Sequence, residues 1–287
     1  MEKLKQENYF FPFDWIVENA WATDAPVSEI EIAELEWLLN VDWFGTDESP
    51  LTPNEVLNNP EIDPEHFARI QNADLSYPID LGMNPKVNKL VPFDGLHRIC
   101  KAKLLGQKTI KCRIIPIEKA MSKLEIYIPK LDDLWFKQKM MACPKTMDYN
   151  AGYDVQIDGY NKTDGTIQFP KEKWQAWFDK WMNAKDRWYA YVVRKDDNTW
   201  IGDIAYHITS EHNMPCVHIV MSAEHRGGGY SKESLILLCQ NAKANGFTKI
   251  YNDIPHERIG AIKVHKAVGF KEIKGQGQYC FLVKDLI

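Results

Sequence analysis

The chain has 287 residues, 45% of them hydrophobic and 26% charged, with ten Trp, twelve Tyr and a formal net charge of −5. That size supplies two buried cores, and no stretch approaches the roughly 18 uncharged apolar residues of a spanning helix, which argues against a membrane partner. Residues 1–80 hold 18 Asp/Glu against 3 Lys/Arg while 81–120 hold 2 against 9, a balance that argues against broad nucleic-acid binding, because the phosphate term needs clustered cations.

The N-terminus, MEKLKQENYFFPFDW, is an aromatic arm without the apolar core of a signal peptide. The six cysteines form no C-x-x-C pair and read as reduced thiols, so a cytoplasmic location is expected. In APVSEIEIAELEWLLN, Ser28 and Glu31 have capping-box spacing, which predicts a helix to about Leu39. IDPEHFARIQ predicts a second helix, with Asp63 as N-cap and Pro64 at its first position. YPIDL and KLVPF flank the turn MNPKVN as a hairpin. LHRICKAKLLG is helical up to Gly106, and TIKCRII alternates like a strand. Residues 1–120 therefore read as a small α+β domain, ending near PIEKAMSK, and 121–287 as a second domain.

In that second segment LEIYI reads as a strand and PKLDDLWFKQKMM as a helix. PKEKWQAWFDKWM is helical, with Trp174, Trp177, Phe178 and Trp181 on one face, read as a core-facing stripe rather than a ligand platform. RWYAYVVR and TWIGDIAYHI form a hairpin across KDDN, and PCVHIVM is the next strand. YSKESLILLCQNAKANG is a helix ending at Gly246, followed by strand TKIYNDI, helix RIGAIKVHKAVG and strands FKEIK and QYCFLVK.

Between PCVHIVM and that long helix lies SAEHRGGGYSKESL. Consecutive glycines at a helix mouth let several N–H groups turn toward one anion, where the helix dipole also favours negative charge. The loop lacks the G-x-x-x-x-G-K-[ST] pattern, and Lys232 stands where G-x-G-x-x-G needs its last glycine. It fits Q/R-x-x-G-x-G/A as Arg226-x-x-Gly229-x-Ser231, with Ser at the last small position.

On that loop, and on AIKVHKAVGF (261–270), which is similar to the pattern A-i-x-l-Y-e-k-l-G-F, the segment resembles the GNAT acetyltransferase superfamily. The resemblance implies a mixed sheet flanked by helices, splayed beside the strand that ends near Met221, with acetyl-CoA in the gap. Arg226, Gly227, Gly228, Gly229, Tyr230 and Ser231 would hold the pyrophosphate by their backbone N–H groups. Backbone groups near Ile219 and Met221 would pair with the pantetheine arm. His265 stands where the family commonly has a Tyr general acid, and either acts as the acid or packs beside the cofactor. Arg258, in place of a frequent Asn, either reaches a coenzyme A phosphate or is solvated. His218 and Glu224, with His207, are the candidate bases; the metal expectation is none, since His207, His212, Cys216, His218 and His225 match no zinc spacing.

LVPFDGLHRICKAKLLGQKTIKCRII (90–115) resembles the ParB/sulfiredoxin-like fold, over about 60 residues from Pro53 onward. Gly95, His97 and Arg98 match a loop that in that superfamily grips a nucleotide phosphate. Leu96 stands at the sulfinic-acid reductases' cysteine position, which excludes that chemistry, and Asp94 disfavours an anion. A nucleotide site and a degenerate structural or partner-binding module both remain open.

The leading expectation is an acetyl-CoA-dependent N-acetyltransferase whose acceptor is a small amine or a polypeptide. The alternatives are a non-catalytic acyl-CoA sensor or scaffold, and a nucleotide-dependent kinase or hydrolase in the first domain. Oligomeric state is open.

Overall fold

The computed structural model describes residues 3–273 and 277–286. The chain divides into two compact units, Met1–Ser122 and Lys123–Ile287.

The first unit runs α1 (Val17–Trp21), β1 (Val27–Glu31), α2 (Ile32–Leu35), β2 (Phe44–Gly45), β3 (Pro50–Leu51), α3 (Pro53–Asn58), α4 (Pro64–Asn72), β4 (Ile79–Asn84), β5 (Lys89–Asp94), α5 (Leu96–Leu104), β6 (Thr109–Ile114) and α6 (Ile117–Ala120). Its sheet has the order β1-β6-β4-β5, with β4 and β6 parallel. β4 is central and buried on both faces, so its Asp80 needs a partner. Arg113, its register mate on β6, supplies two contacts at 2.7 and 2.8 Å. The aromatic arm is core: Phe11 stacks on Phe93 with ring centroids 4.5 Å apart. Burial of a side chain the size of Phe93 is worth about 1.5–3 kcal/mol.

Asp63 accepts from the His66 N–H at 3.1 Å and Pro64 opens α4, as the pattern predicts. The capping box at Ser28 and Glu31 does not form. Ser28 lies within β1, opposite Cys112, and Ile30 faces Ile110, so pairing with β6 overrides the local helix signal. The helical segment shrinks to α2 and a single 3₁₀ turn, Glu36–Asn40.

The second unit runs β7 (Leu124–Tyr127), α7 (Leu134–Met141), α8 (Pro144–Met147), α9 (Trp174–Met182), β8 (Arg187–Arg194), β9 (Trp200–Ile208), β10 (Pro215–Met221), α10 (Tyr230–Ala244), β11 (Lys249–Pro255), α11 (Ile259–Ala267), β12 (Lys271–Ile273) and β13 (Tyr279–Asp285). Lys274, the last residue of the expected strand FKEIK, lies outside the described residues. The seven strands are ordered β12-β13-β11-β10-β9-β8-β7, antiparallel throughout except β10 and β11. Strands β8 and β9 are buried along most of their length, because helices cover the sheet. Glu233 of α10 ties that helix to the sheet, accepting from the backbone N–H groups of Lys123 and Leu124 at 2.7 and 2.9 Å.

Two features of this sheet position a site. Pairing of β10 with β9 holds from Pro215–Ile208 to Met221–Gly202, whereas β10 and β11 are in register only at Cys216 and Tyr251, and then part. Period-two alternation also puts Tyr189 and Tyr191 of β8, Asp203, Ala205 and His207 of β9, and His218 and Val220 of β10 on one face. Helices α7 and α9 cover that face: Phe136 and Met140 pack on Tyr189, Tyr191 and Ala205, with Trp177 and Trp181 against them.

Candidate functional site

Where β10 and β11 part, a cavity of about 440 Å³ opens. Its walls are Val217–Met221 on one side and Asn252–Ile254 on the other, with Val264 and His265 of α11, Arg226 and Ser231 at its ends. The glycine loop sits at the head of α10. Gly227 and Gly229 both have φ of +82°, a region that side chains with a Cβ rarely adopt, and a Cβ on either would point into open space. Gly228 is restricted differently, since a Cβ there would meet the Tyr230 ring at 2.6 Å. The backbone is thus bare and turned outward at the N-terminus of a 15-residue helix, the arrangement that suits a pyrophosphate. The Arg226 side chain faces away from that task. Its guanidinium donates to the carbonyls of Met221, Lys145 and Thr146 and to Asp148 Oδ1, pinning the 145–148 segment against the loop.

A second cavity, of about 770 Å³, lies over the α7/α9 face of the sheet. Trp177, Trp181, Phe169 and Tyr189 form much of its wall. The tryptophan stripe therefore divides: Trp174 is buried in a core with Leu134 and Phe169, whereas Trp177 and Trp181 also border the cavity. Four residues line both cavities: Tyr149, Val217, His218 and Val220.

His218 is held there by a buried carboxylate. Its Nε2–H donates to Asp203 Oδ1 at 3.1 Å, which in the neutral ring puts the lone pair on Nδ1. Asp203 is fully enclosed and accepts at its other oxygen from Tyr189 Oη at 2.6 Å and from Lys137 Nζ at 3.3 Å. Burial works to raise the Asp203 pKa, but Lys137, His218 and Tyr189 together hold it well below the ordinary carboxylate range. The Lys137 ammonium lies 4.9 Å from the Trp177 ring centroid and 4.8 Å from that of Tyr189, so two rings and a carboxylate surround one cation. Removing one partner of such a buried pair costs roughly 3–5 kcal/mol. Tyr149, at the junction of the cavities, has its pKa pushed above the ordinary phenol range by burial and then by the Asp203 charge.

The other residues singled out from sequence have varied surroundings. His265 borders the smaller cavity but shows it no proton: Nδ1–H donates to the Ala261 carbonyl at 2.9 Å, and Nε2 accepts from Asn252 Nδ2 at 3.0 Å. Burial lowers its pKa, favouring this neutral tautomer, and the two hydrogen bonds join α11 to β11. Glu224 lines neither of these cavities; it is exposed and pairs with Lys139 at 3.3 Å. Arg258 is half-buried and also lines the smaller cavity. It packs over the rings of Tyr149 and Tyr153, at 5.4 and 4.9 Å, and donates to the Tyr149 carbonyl, which fixes the loop carrying that phenol. His207 borders the larger cavity, with its Nδ1 buried and unpartnered and its pKa lowered by burial, Arg187 and His218. Ile219 and Met221 lie on the β11-facing wall, as expected of strand residues at the gap. Among the described residues no group of three or more His, Cys, Asp or Glu side chains is placed to hold a metal ion, and no helix is long and apolar enough to cross a membrane.

In the first unit the residues of the expected phosphate loop turn to one another. Arg98 pairs with Asp94 at 3.1 Å, while His97 meets His66 at 3.0 Å in a stack that includes Phe44. A Cβ at Gly95 would strike the Ile79 side chain at 2.5 Å, so that glycine serves helix–sheet packing.

Asp203, Lys137, Tyr189 and Tyr149 were not picked out from sequence. The observed register across β8, β9 and β10 sets Asp203 and Tyr189 on the His218 face, but Lys137 and Tyr149 belong to no motif.

A family model described as an acetyltransferase (GNAT) domain matches residues 129–271. No curated protein sequence matches the chain. Solved structures similar to it include a spermidine N-acetyltransferase from Vibrio cholerae in complex with CoA and spermine, at 15% identity over 56% of this chain and 93% of that one, with a TM-score of 0.41. An acetyltransferase (GNAT family) from Bacillus anthracis is 15% identical over 57% of this chain and 96% of that one, at a TM-score of 0.44. A domain from Methanocaldococcus jannaschii is 19% identical over 57% and 99%, also at 0.44. With the splayed strands, the bare glycine loop and the matching family model together, residues 129–271 are an acetyltransferase (GNAT) domain, and the protein is an acetyltransferase that uses acetyl-CoA.

Proposed function

We propose that the second unit transfers the acetyl group of acetyl-CoA to an amine held in the larger cavity, with His218 as general base and Tyr149 as proton source. The observation that carries this reading is that His218, oriented by Asp203, borders both cavities. Acetyl-CoA would supply an activated acyl carbon: the amine nitrogen attacks it, the C–N bond forms and the C–S bond breaks. Backbone N–H groups from Arg226 to Ser231 would hold the pyrophosphate, and the parted edge of β10 near Ile219 and Met221 would align the pantetheine arm. His218 takes the proton from the amine at Nδ1, and Asp203 holds the imidazole in the tautomer that exposes this nitrogen and stabilises the cation that forms. Tyr149, kept protonated by its surroundings, returns a proton on the sulfur side.

The test is steady-state thiol release from acetyl-CoA by the full chain with an accepted amine. His218→Ala is expected to lower kcat by roughly 10²-fold or more with acetyl-CoA affinity unchanged. A variant that keeps the wild-type kcat removes His218 from the mechanism.

For the first unit the ParB/sulfiredoxin-like fold stands as the reading its hairpin, loop and helix support. With Arg98 and His97 engaged within the unit, the role that fits is a structural or partner-binding one.

A further inference from the structure

The larger cavity carries information about the acceptor, and this inference rests on the acetyl-transfer reading above. We infer that the acceptor is a small primary amine on a flat apolar body, an arylalkylamine, and not a polycation.

The charges in the cavity decide against a polycation. Three carboxylates border it, Asp203, Asp158 and Glu172, against three ammonium groups, Lys137, Lys173 and Lys180. Asp203 is already shared by three donors, and Asp158 pairs with Lys173 at 2.5 Å. Glu172 is exposed. A polyamine would bring in further ammonium groups, which would be desolvated without a free carboxylate row and opposed by the resident lysines.

The walls favour an aromatic body. Trp177 and Trp181 lie with ring centroids 5.7 Å apart and planes 21° from parallel, and Tyr189 meets Trp177 edge-on at 4.7 Å. Ile157 and Ile167 extend the apolar lining. A volume of about 770 Å³ falls within the usual range for a small-molecule pocket. The setting also prepares the nucleophile. An apolar wall and the Lys137 cation both disfavour an ammonium, so an amine entering here gives up its extra proton more readily, and His218 borders both this cavity and the smaller one.

The experiment compares phenethylamine and tryptamine with spermidine and a lysine-rich peptide as acceptors for the full chain, after acetyl-CoA binding has been established by calorimetry. The arylalkylamines should show kcat/KM at least roughly tenfold above the polycations. Trp181→Leu should raise their KM by about tenfold with little change in kcat, and Trp181→Phe should restore most of the affinity, because an aromatic contact is worth about one decade in binding. Circular dichroism verifies that each variant is folded. Preference for spermidine or the peptide overturns the inference. So does an unchanged KM in folded Trp181→Leu, or no arylalkylamine turnover by a chain that binds acetyl-CoA. Failure to bind acetyl-CoA at all overturns the acetyl-transfer reading instead.

Discussion

Tyr149 borders both cavities, and its pKa is raised first by burial and then by the neighbouring Asp203 charge. The sign follows directly: a phenol with a raised pKa keeps its proton above the usual titration range near 10. A pH–rate profile should therefore show no loss of this proton source below about pH 10. Tyr149→Phe should lower kcat roughly 10²-fold with acetyl-CoA affinity intact, and a variant with full kcat would make the residue a wall and nothing more. At this scale the sequence pointed to the strand that walls both cavities but not to the neighbouring Asp203, Lys137, Tyr189 and Tyr149. His218 was visible because it alternates into the sheet beside the glycine loop. Asp203 was not, because the β8–β9 register shifts between Val192 and Val193. Counting outward from KDDN is then one residue out, and one residue exchanges the two faces of a strand. His265 matched a motif position, yet its hydrogen bonds to Ala261 and Asn252 depend on contacts that no spacing encodes.

The stack of Phe44, His66 and His97 joins α4 to α5 and makes those elements sensitive to acid. Burial, then the neighbouring His66 and Arg69, lower the His97 pKa from 6.5 to about 4. The folded state thus prefers the neutral ring, while the unfolded chain takes up a proton near 6.5. The stabilising contribution is complete above that pH, declines as pH falls from 6.5 through about 4, and then levels off. His97→Phe keeps an aromatic ring without a titrating proton, so its thermal midpoint should fall less than that of the wild type between pH 7 and pH 4. Parallel decline in the two proteins would contradict this account. Elements with strong local signals, such as the Asp63–Pro64 start of α4 and the strand–loop–helix at 215–244, were legible in the sequence. β1 was not, because Ser28-x-x-Glu31 satisfies a helix-start pattern and only the Ile30–Ile110 pair across the sheet settles its conformation.

Across the molecule, two compact units separate at Ser122 and Lys123, and the acetyltransferase chemistry lies in the second. The parting of β10 from β11 and the bare loop heading α10 are the features that would hold acetyl-CoA. The residue on which that binding depends most is Gly229, whose φ of +82° excludes a β-branched side chain without strain although its Cβ position is open. Calorimetric titration of acetyl-CoA into the full chain and into Gly229→Val tests it most directly. The account predicts binding at one site in the wild type and at least roughly tenfold weaker binding in the variant, as the N–H groups lose their common aim. No binding by the wild type, or equal affinity in folded Gly229→Val, would contradict it.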